Sequence, residues 1–504
     1  MSVSLFLLAA LLLLVLYVRK SSKPPLPPGP RKLPLIGNWL DVPATFQWKT
    51  YARWSKKYNS DIIHLNLLGK SIVVLNSFAA TDELLEKRSS IYSDREDFPM
   101  VNGLMGWDFN AASMRYGDEW RIHRRLFNQE FNVRASRKYE SRELLGTRKL
   151  LQRLISHPDM FLTHFRQMMS EVILSSTYGI EALPSDDPYV ELADEAMRGL
   201  AAGNVPGVWL VDIFPILKYL PSWFPGAGFK RKALEWRGWA RGMMDVPFAE
   251  TKRQMELGTA PPSYTVDYLR ALEDSNHAFY EEYHVKATSG IMFAAGTDTI
   301  VSSLGTFVLA MLANPEAQKK AQEELDSVLS MQALPTFEDR ESLPYVSALV
   351  KEVLRWENVT PFAVSHRVTV EDEYRGYRVP AGSVVIGNTW ALLHDEKVYP
   401  DPHSFKPERW LLNGRLNPAV RDPEAAFGFG RRQCPGKHMA TSSIWIVVAS
   451  MLATFDISKA VDAEGRVVEP TYEYIPGLVT TPVPFQCAIK PRGPQAAALI
   501  QASL

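Results

Sequence analysis

Cysteine is almost absent from this 504-residue chain, which carries only Cys434 and Cys487. Two thiols exclude a disulfide scaffold and any four-cysteine metal cluster. They leave one disulfide at most, and they fit a reducing compartment on the cytosolic side of a membrane. An excess of either charge is lacking too. Lys+Arg and Asp+Glu each number 56, so the balance points neither to nucleic acid nor to a strongly acidic partner. No glycine motif for a nucleotide follows a predicted strand, and no internal repeat recurs. What is present is ordinary globular material, 46% hydrophobic and 22% charged, far more than one minimal core requires.

From Val3 to Val18 the residues are almost all Leu, Ala, Val, Phe and Tyr, and Arg19, Lys20 and Lys23 follow. The run is a little short of the ~20 residues that span a bilayer, so it reads as a membrane anchor or as the apolar core of a signal peptide. The anchor is preferred, because no basic residue precedes the run and no small-x-small cleavage site follows it. The positive charges behind it then place the remainder in the cytoplasm. Prolines 24, 25, 27, 28, 30 and 34 make a stiff, extended spacer that cannot be helical. The expected division is an anchor over 1–18, a basic and proline-rich hinge over 19–34, and one folded body over 35–504.

Within that body, 61–67 and 71–75 alternate around Gly69 and predict a β-hairpin. Residues 377–379 and 383–386, around Pro380-Ala381-Gly382, predict a second. Most of the rest is helical in pattern, so the fold is expected to be mainly α with a smaller β portion. A long helix is expected from about Glu281 to Leu312, another opens at Asn314-Pro315, and a third follows Pro344.

One run orders the others: Phe427-Gly428-Phe429-Gly430-Arg431-Arg432-Gln433-Cys434-Pro435-Gly436 presents a thiol on a tight loop just before an apolar helical stretch. Gly430 and Gly436 permit positive φ and a close approach of backbone to a flat ligand. A helix starting after Pro435 would aim its free N–H groups at the sulfur and lower its pKa, favouring the thiolate. Arg432 can give a charge-assisted hydrogen bond to a carboxylate on the ligand's rim. Cys434 is therefore read as an iron ligand, against the alternative of a buried structural thiol. The complete pattern Phe-x-x-Gly-x-Arg-x-Cys-x-Gly resembles the haem-binding loop of the haem-thiolate monooxygenases, the cytochrome P450 superfamily. That resemblance implies the P450 fold behind a single N-terminal transmembrane helix, haem b with its iron on the Cys434 thiolate, and Arg432 on a haem propionate.

Other segments agree with it in order. Trp120 and Arg124, four apart on a helix opened by Asp118 and Glu119, share a face and can hold a carboxylate. Alone, this basic cluster reads as solvated surface, but Trp-x-x-x-Arg is similar to the family's propionate-holding helix. Inside the long helix, Phe293-Ala294-Ala295-Gly296-Thr297-Asp298-Thr299 sets an acid and an alcohol among apolar residues. Thr299 can bond back to the Ala295 carbonyl and bend the helix. Gly296 is expected to leave a gap where dioxygen receives protons from Asp298 through Thr299 and water. The stretch resembles the family's Ala-Gly-x-Asp-Thr segment and departs from it at Ile300. Glu352, Arg355 and Arg409 resemble the family's buried Glu–Arg–Arg network, structural and not catalytic. Trp410 stands where phenylalanine is common, and only packing is expected to differ there. His366 matches a propionate-binding position, though by itself it also reads as a neutral core histidine.

The resemblance implies an enzyme of the endoplasmic reticulum membrane, its catalytic domain cytosolic, that inserts one oxygen atom from O2 into a hydrophobic small molecule. Asp298 and Thr299 would manage protons, while Trp120, Arg124, His366 and Arg432 would hold the propionates. Without a nucleotide motif of its own, the chain needs electrons from a separate protein, by resemblance the membrane-bound NADPH–haemoprotein reductase. The substrate pocket is expected from residues 100–114, 291–299, 359–364 and 476–479. The segment Tyr92-Ser93-Asp94-Arg95 and the aromatic, proline-broken run from Val205 to Phe229 look most like fungal members of secondary metabolism. A terpenoid is the leading substrate and an aromatic polyketide or indole the next. The same run is expected to touch the membrane beside a substrate entrance. Rival readings are a haem-thiolate isomerase or dehydratase that uses no O2, against which the Asp298-Thr299 pair speaks, and a non-catalytic haem-binding protein.

Overall fold

The computed structural model describes residues 23–204, 208–274, 279–330 and 332–503; the expected anchor over 1–18 lies outside them. The described chain forms two compact units, one from the segment up to Arg95 with Ser365–Asn388, the other from Glu96–Val364 with Thr389 onward.

In the smaller unit a helix α1 (Gln47–Tyr58) buries Trp48 and Tyr51 and leads into strands β1 (Ile62–Leu67) and β2 (Lys70–Leu75). Leu68 and Gly69 join these two strands with φ of 50° and 92°, the doubly positive pair that a two-residue hairpin turn demands. The first expected hairpin is therefore formed. The second is not built as expected. Strands β3 (His366–Arg367), β4 (Asp372–Tyr374), β5 (Tyr377–Val379) and β6 (Val384–Gly387) follow, and β5 pairs back onto β4. Its turn is Arg375-Gly376, with φ of 49° and 78°, again a doubly positive pair. β6 instead lies parallel to β2 and antiparallel to β3, giving a sheet of order β1-β2-β6-β3.

In the larger unit the helices that matter here are α2 (Asp118–Phe131), α3 (Glu140–Ser156), α4 (Phe161–Tyr178), α5 (Pro188–Gly203), α6 (Gly228–Glu256), α7 (Glu282–Ala313), α8 (Pro344–Trp356) and α9 (Lys437–Thr454). α7 is apolar nearly all round, the pattern of a helix enclosed by others. Among the described residues it alone is long and apolar enough to cross a membrane, yet 78% of its apolar window is buried, so it is a core helix. Its start is fixed by a reciprocal cap between Glu281 and His284. α9 is enclosed in the same way, with its residues buried from Ser442 to Leu452. Both cysteines are free thiols, so the single disulfide that composition allowed does not form.

Candidate active site

The loop before α9 is made of two short 3-10 turns, Glu424–Phe427 and Gly430–Arg432. Gly428 and Gly430 take φ of 80° and 55°, where a side chain would be strained. Gly436, expected to permit a positive φ, sits at −81°, and a Cβ there would meet only Cys434 Sγ, at an ordinary 4.0 Å. The Cys434 N–H donates to the Phe427 carbonyl at 2.7 Å and closes the loop. The Gly436 N–H bonds to the sulfur, and Arg124 and Lys437 add positive charge, all of which lower the thiol pKa. Desolvation by the surrounding chain acts the other way and the net direction is up, although the Cys434 side chain itself is open to solvent. One N–H and two cations therefore favour the thiolate, as expected of the helix start, and desolvation opposes them. A coordinated metal would settle the balance, since it deprotonates a thiol ligand outright.

α2 runs beside this loop. Arg124 donates to the Gln433 carbonyl; desolvation lowers the pKa of its half-buried guanidinium, and the nearby Cys434 sulfur acts in the opposite sense. One turn earlier Trp120 is buried and carries the Arg432 guanidinium over its ring, 4.3 Å from the centroid. Arg432 also donates to the carbonyls of Met114 at 2.8 Å and Ala111 at 3.1 Å. Tyr116, which the sequence did not single out, packs on Trp120 at 5.1 Å and accepts a hydrogen bond from Arg431. Stacked and hydrogen-bonded in this way, the planar cations are held in orientation before any ligand arrives. Trp120, Arg124 and Arg432 thus gather about the Cys434 loop. His366 belongs to the smaller unit, where it is buried in β3 and its Nδ1 donates to the Tyr92 carbonyl at 2.8 Å.

On α7, Thr299 donates to the Ala295 carbonyl at 3.0 Å, as expected. Ala295 is exposed immediately after the buried residues 291–294, so open surface and a polar hydrogen-bonded step coincide on this helix. Gly296 does not make that opening. A Cβ there would meet Ile173 Cδ1 at 2.6 Å, so its missing side chain admits α4, not a ligand. Asp298 makes an ion pair with Arg166 of α4 at 2.6 Å, and the other guanidinium nitrogen reaches Asp194 of α5 at 2.8 Å. Neither Arg166 nor Asp194 was legible in the sequence. A pairing between distant helices leaves no local motif.

The Glu352 network is complete. Arg355 donates to Glu352 at 2.8 and 2.9 Å, Arg409 at 3.1 Å and the Lys406 N–H at 2.8 Å. Trp410 donates its indole N–H to the same carboxylate at 3.0 Å. The expectation that Trp410 alters packing only is therefore corrected: phenylalanine could not make this bond. Residues 208–224 expose Trp223 (77%), Ile216 (74%) and Tyr219 (74%); residues 205–207 of that run lie outside the described ones.

A thiol on a tight loop, with three side chains able to bind carboxylates around it, is a donor set that fits an iron porphyrin bearing propionates. The family model described as Cytochrome P450 matches residues 27–489. The chain belongs to the cytochrome P450 family. It is 46% identical to cytochrome P450 monooxygenase ple1 of Rhodocybe pseudopiperita, over 96% of this chain and 93% of that protein. It is 45% identical to cytochrome P450 monooxygenase 98 of Postia placenta, with the same coverage. A tryptamine 4-monooxygenase of Psilocybe cyanescens is 42% identical over 94% of each chain. This P450 is accordingly a monooxygenase, an oxidoreductase whose cofactor is haem ligated by a cysteine thiolate. P450 enzymes draw on O2, a redox partner and hydrophobic substrates.

Proposed function

We propose that this P450 is a membrane-anchored enzyme of secondary metabolism that inserts one oxygen atom from O2 into a hydrophobic small molecule, in the first instance a terpenoid. The gathering of Trp120, Arg124 and Arg432 about the Cys434 loop carries the reading. Haem, when bound, supplies the activation of dioxygen. Cys434 would ligate its iron, and Trp120, Arg124 and Arg432, with His366, would hold its propionates. Thr299 and Asp298 would deliver protons. The Asp298 side chain is 23% exposed, so water can take over from Arg166 and link it towards Thr299. The apolar run 3–18 and the exposed side chains of 208–224 support attachment to the endoplasmic reticulum membrane, on its cytosolic side. Electrons would come from an NADPH–haemoprotein reductase.

The tryptamine 4-monooxygenase relative favours a second reading, an indole substrate. Both are tested on purified holoprotein. The reduced protein with carbon monoxide is expected to show the far-red Soret band of thiolate ligation, and Cys434→Ala is expected to lose it. With added reductase and NADPH, panels of terpenoids, indoles and aromatic polyketides should yield an oxygenated product in one class. Asp298→Asn is expected to form that product about 10²-fold more slowly. NADPH and O2 consumption without oxygenated product from any panel would sink the monooxygenation of these substrates, and a rearranged or dehydrated product formed without O2 would establish the isomerase or dehydratase instead.

A further inference from the structure

Glu143 plays no part in the site above. It sits in α3, 1% exposed, and faces the helix that follows the Cys434 loop. Ser443 of α9 donates to its Oε1 at 2.7 Å. The Ser442 hydroxyl lies 2.9 Å from both carboxyl oxygens and also 2.9 Å from the Met439 carbonyl in the first turn of α9. A hydroxyl has one proton to give. When Glu143 is ionised, Ser442 must turn that proton to the carboxylate and leave the Met439 carbonyl. When Glu143 is protonated, its own O–H can donate to Ser442 Oγ, and Ser442 can bond Met439. The geometry is therefore a two-state arrangement at the N-terminal end of the helix whose leading N–H, that of Gly436, bonds to the Cys434 sulfur.

We infer that Glu143 is a positioning residue for the haem helix, and that its ionisation, read through Ser442, tunes how readily the iron accepts an electron. The inference rests on Cys434 as the iron ligand. Burial pushes the Glu143 carboxyl up to about 7, against the pull of the two serine donors, so both states are accessible near neutrality. The charges acting on it are Glu140, one turn back on α3, which raises it further, and Arg340 of the 3-10 segment Phe337–Ser342, which lowers it. Arg340 itself stands over the Trp445 ring of α9, 5.7 Å from its centroid. Protons have a route: Ser442 borders a cavity of about 520 Å³ into which Arg137, Lys437 and His438 also project, with Glu338, Glu341 and Glu424 as its further acids. A negative charge beside the first turns of α9, the helix that follows the Cys434 loop, favours the oxidised, more positive iron.

The test is the midpoint potential of the substrate-free holoprotein, titrated spectroelectrochemically across pH after the reduced carbon monoxide spectrum has established thiolate ligation. That spectrum separates failure of the ligand assignment from failure of the present inference. Wild type and Glu143→Gln are expected to coincide in acid, with the wild type falling progressively below the variant as pH rises through neutrality. A gap that is constant with pH, or no gap, overturns the inference. Ser442→Ala keeps the carboxyl but strips a donor from its charged form. Its inflection is expected at higher pH than the wild type's, and an unmoved inflection overturns the inference even if Glu143→Gln does not take up haem.

Discussion

Two ion networks of the larger unit use the same chemistry to opposite ends. Around Glu352 nothing is left over. The carboxylate accepts from Arg355, Arg409, Trp410 and the Lys406 N–H, and the rest of the Arg355 fork is used on the carbonyls of Leu393, Pro402 and Ser404. Glu352 and Arg355 are fully buried. Around Asp298 a single guanidinium is shared between two carboxylates on different helices, with side chains 23–36% exposed. A buried, saturated network has no second arrangement to adopt, and losing one member strands the others without solvent. A shared, partly wet cation can release one partner at little cost. The first suits a brace for the segment that precedes the Cys434 loop; the second suits an acid that must change partners.

The contrast is sharpest where the brace is cut. Glu352→Gln leaves two guanidinium groups and an indole N–H aimed at a neutral amide, and is expected to destabilise the protein by about 3–5 kcal/mol. Chemical denaturation of the haem-loaded protein, followed by both far-ultraviolet circular dichroism and the Soret band, should show the two signals lost together. A variant as stable as wild type would show that the network is not a brace. Trp410→Phe is the milder cut. It removes one donor from a carboxylate that keeps four other hydrogen bonds, with an expected cost of about 1.5–3 kcal/mol. If the effect were of packing alone, Trp410→Leu and Trp410→Phe would scale with the volume removed; a common offset for both marks the lost N–H.

These networks also show what could be read beforehand. The helix expected over about 281–312 is found at Glu282–Ala313, because a mostly apolar stretch without proline, between an acidic start and Asn314-Pro315, leaves little choice of ends. The Cys434 loop was legible for the same reason: its glycines, arginine and thiol lie within ten residues. Glu352 and Arg355 share a helix turn, so their pairing shows as a spacing. Arg166 and Asp298 do not share an element, and nothing local distinguishes Arg166 from any surface arginine. Glu143 was missed for a related reason. In Glu140-Ser141-Arg142-Glu143 it resembles a solvated acid, and only the approach of Ser442 and Ser443 makes its site an interior one. The hairpin was misplaced because Pro380-Ala381-Gly382 is the louder turn signal, while Arg375-Gly376 makes the actual reversal. Pattern marks which face is apolar, and tertiary approach decides which polar groups meet.

The smallest predicted effect separates the two networks most directly. Arg166→Gln removes both contacts of the second network at once. With its members a quarter to a third exposed, each contact should be worth only about 0.2–1 kcal/mol. Screening gives the discriminating measurement, because the Debye length shrinks from about 30 Å at 0.01 M salt to about 3 Å at 1 M. The coupling between Arg166 and Asp298, from a double-mutant cycle with Asp298→Asn, is expected to fall towards zero over that range. The coupling between Arg409 and Glu352, measured in the same way, should hardly change, since no solvent reaches the carboxylate that joins them. A salt-independent Arg166–Asp298 coupling of several kcal/mol would instead make Asp298 a second brace, too tightly held to move a proton.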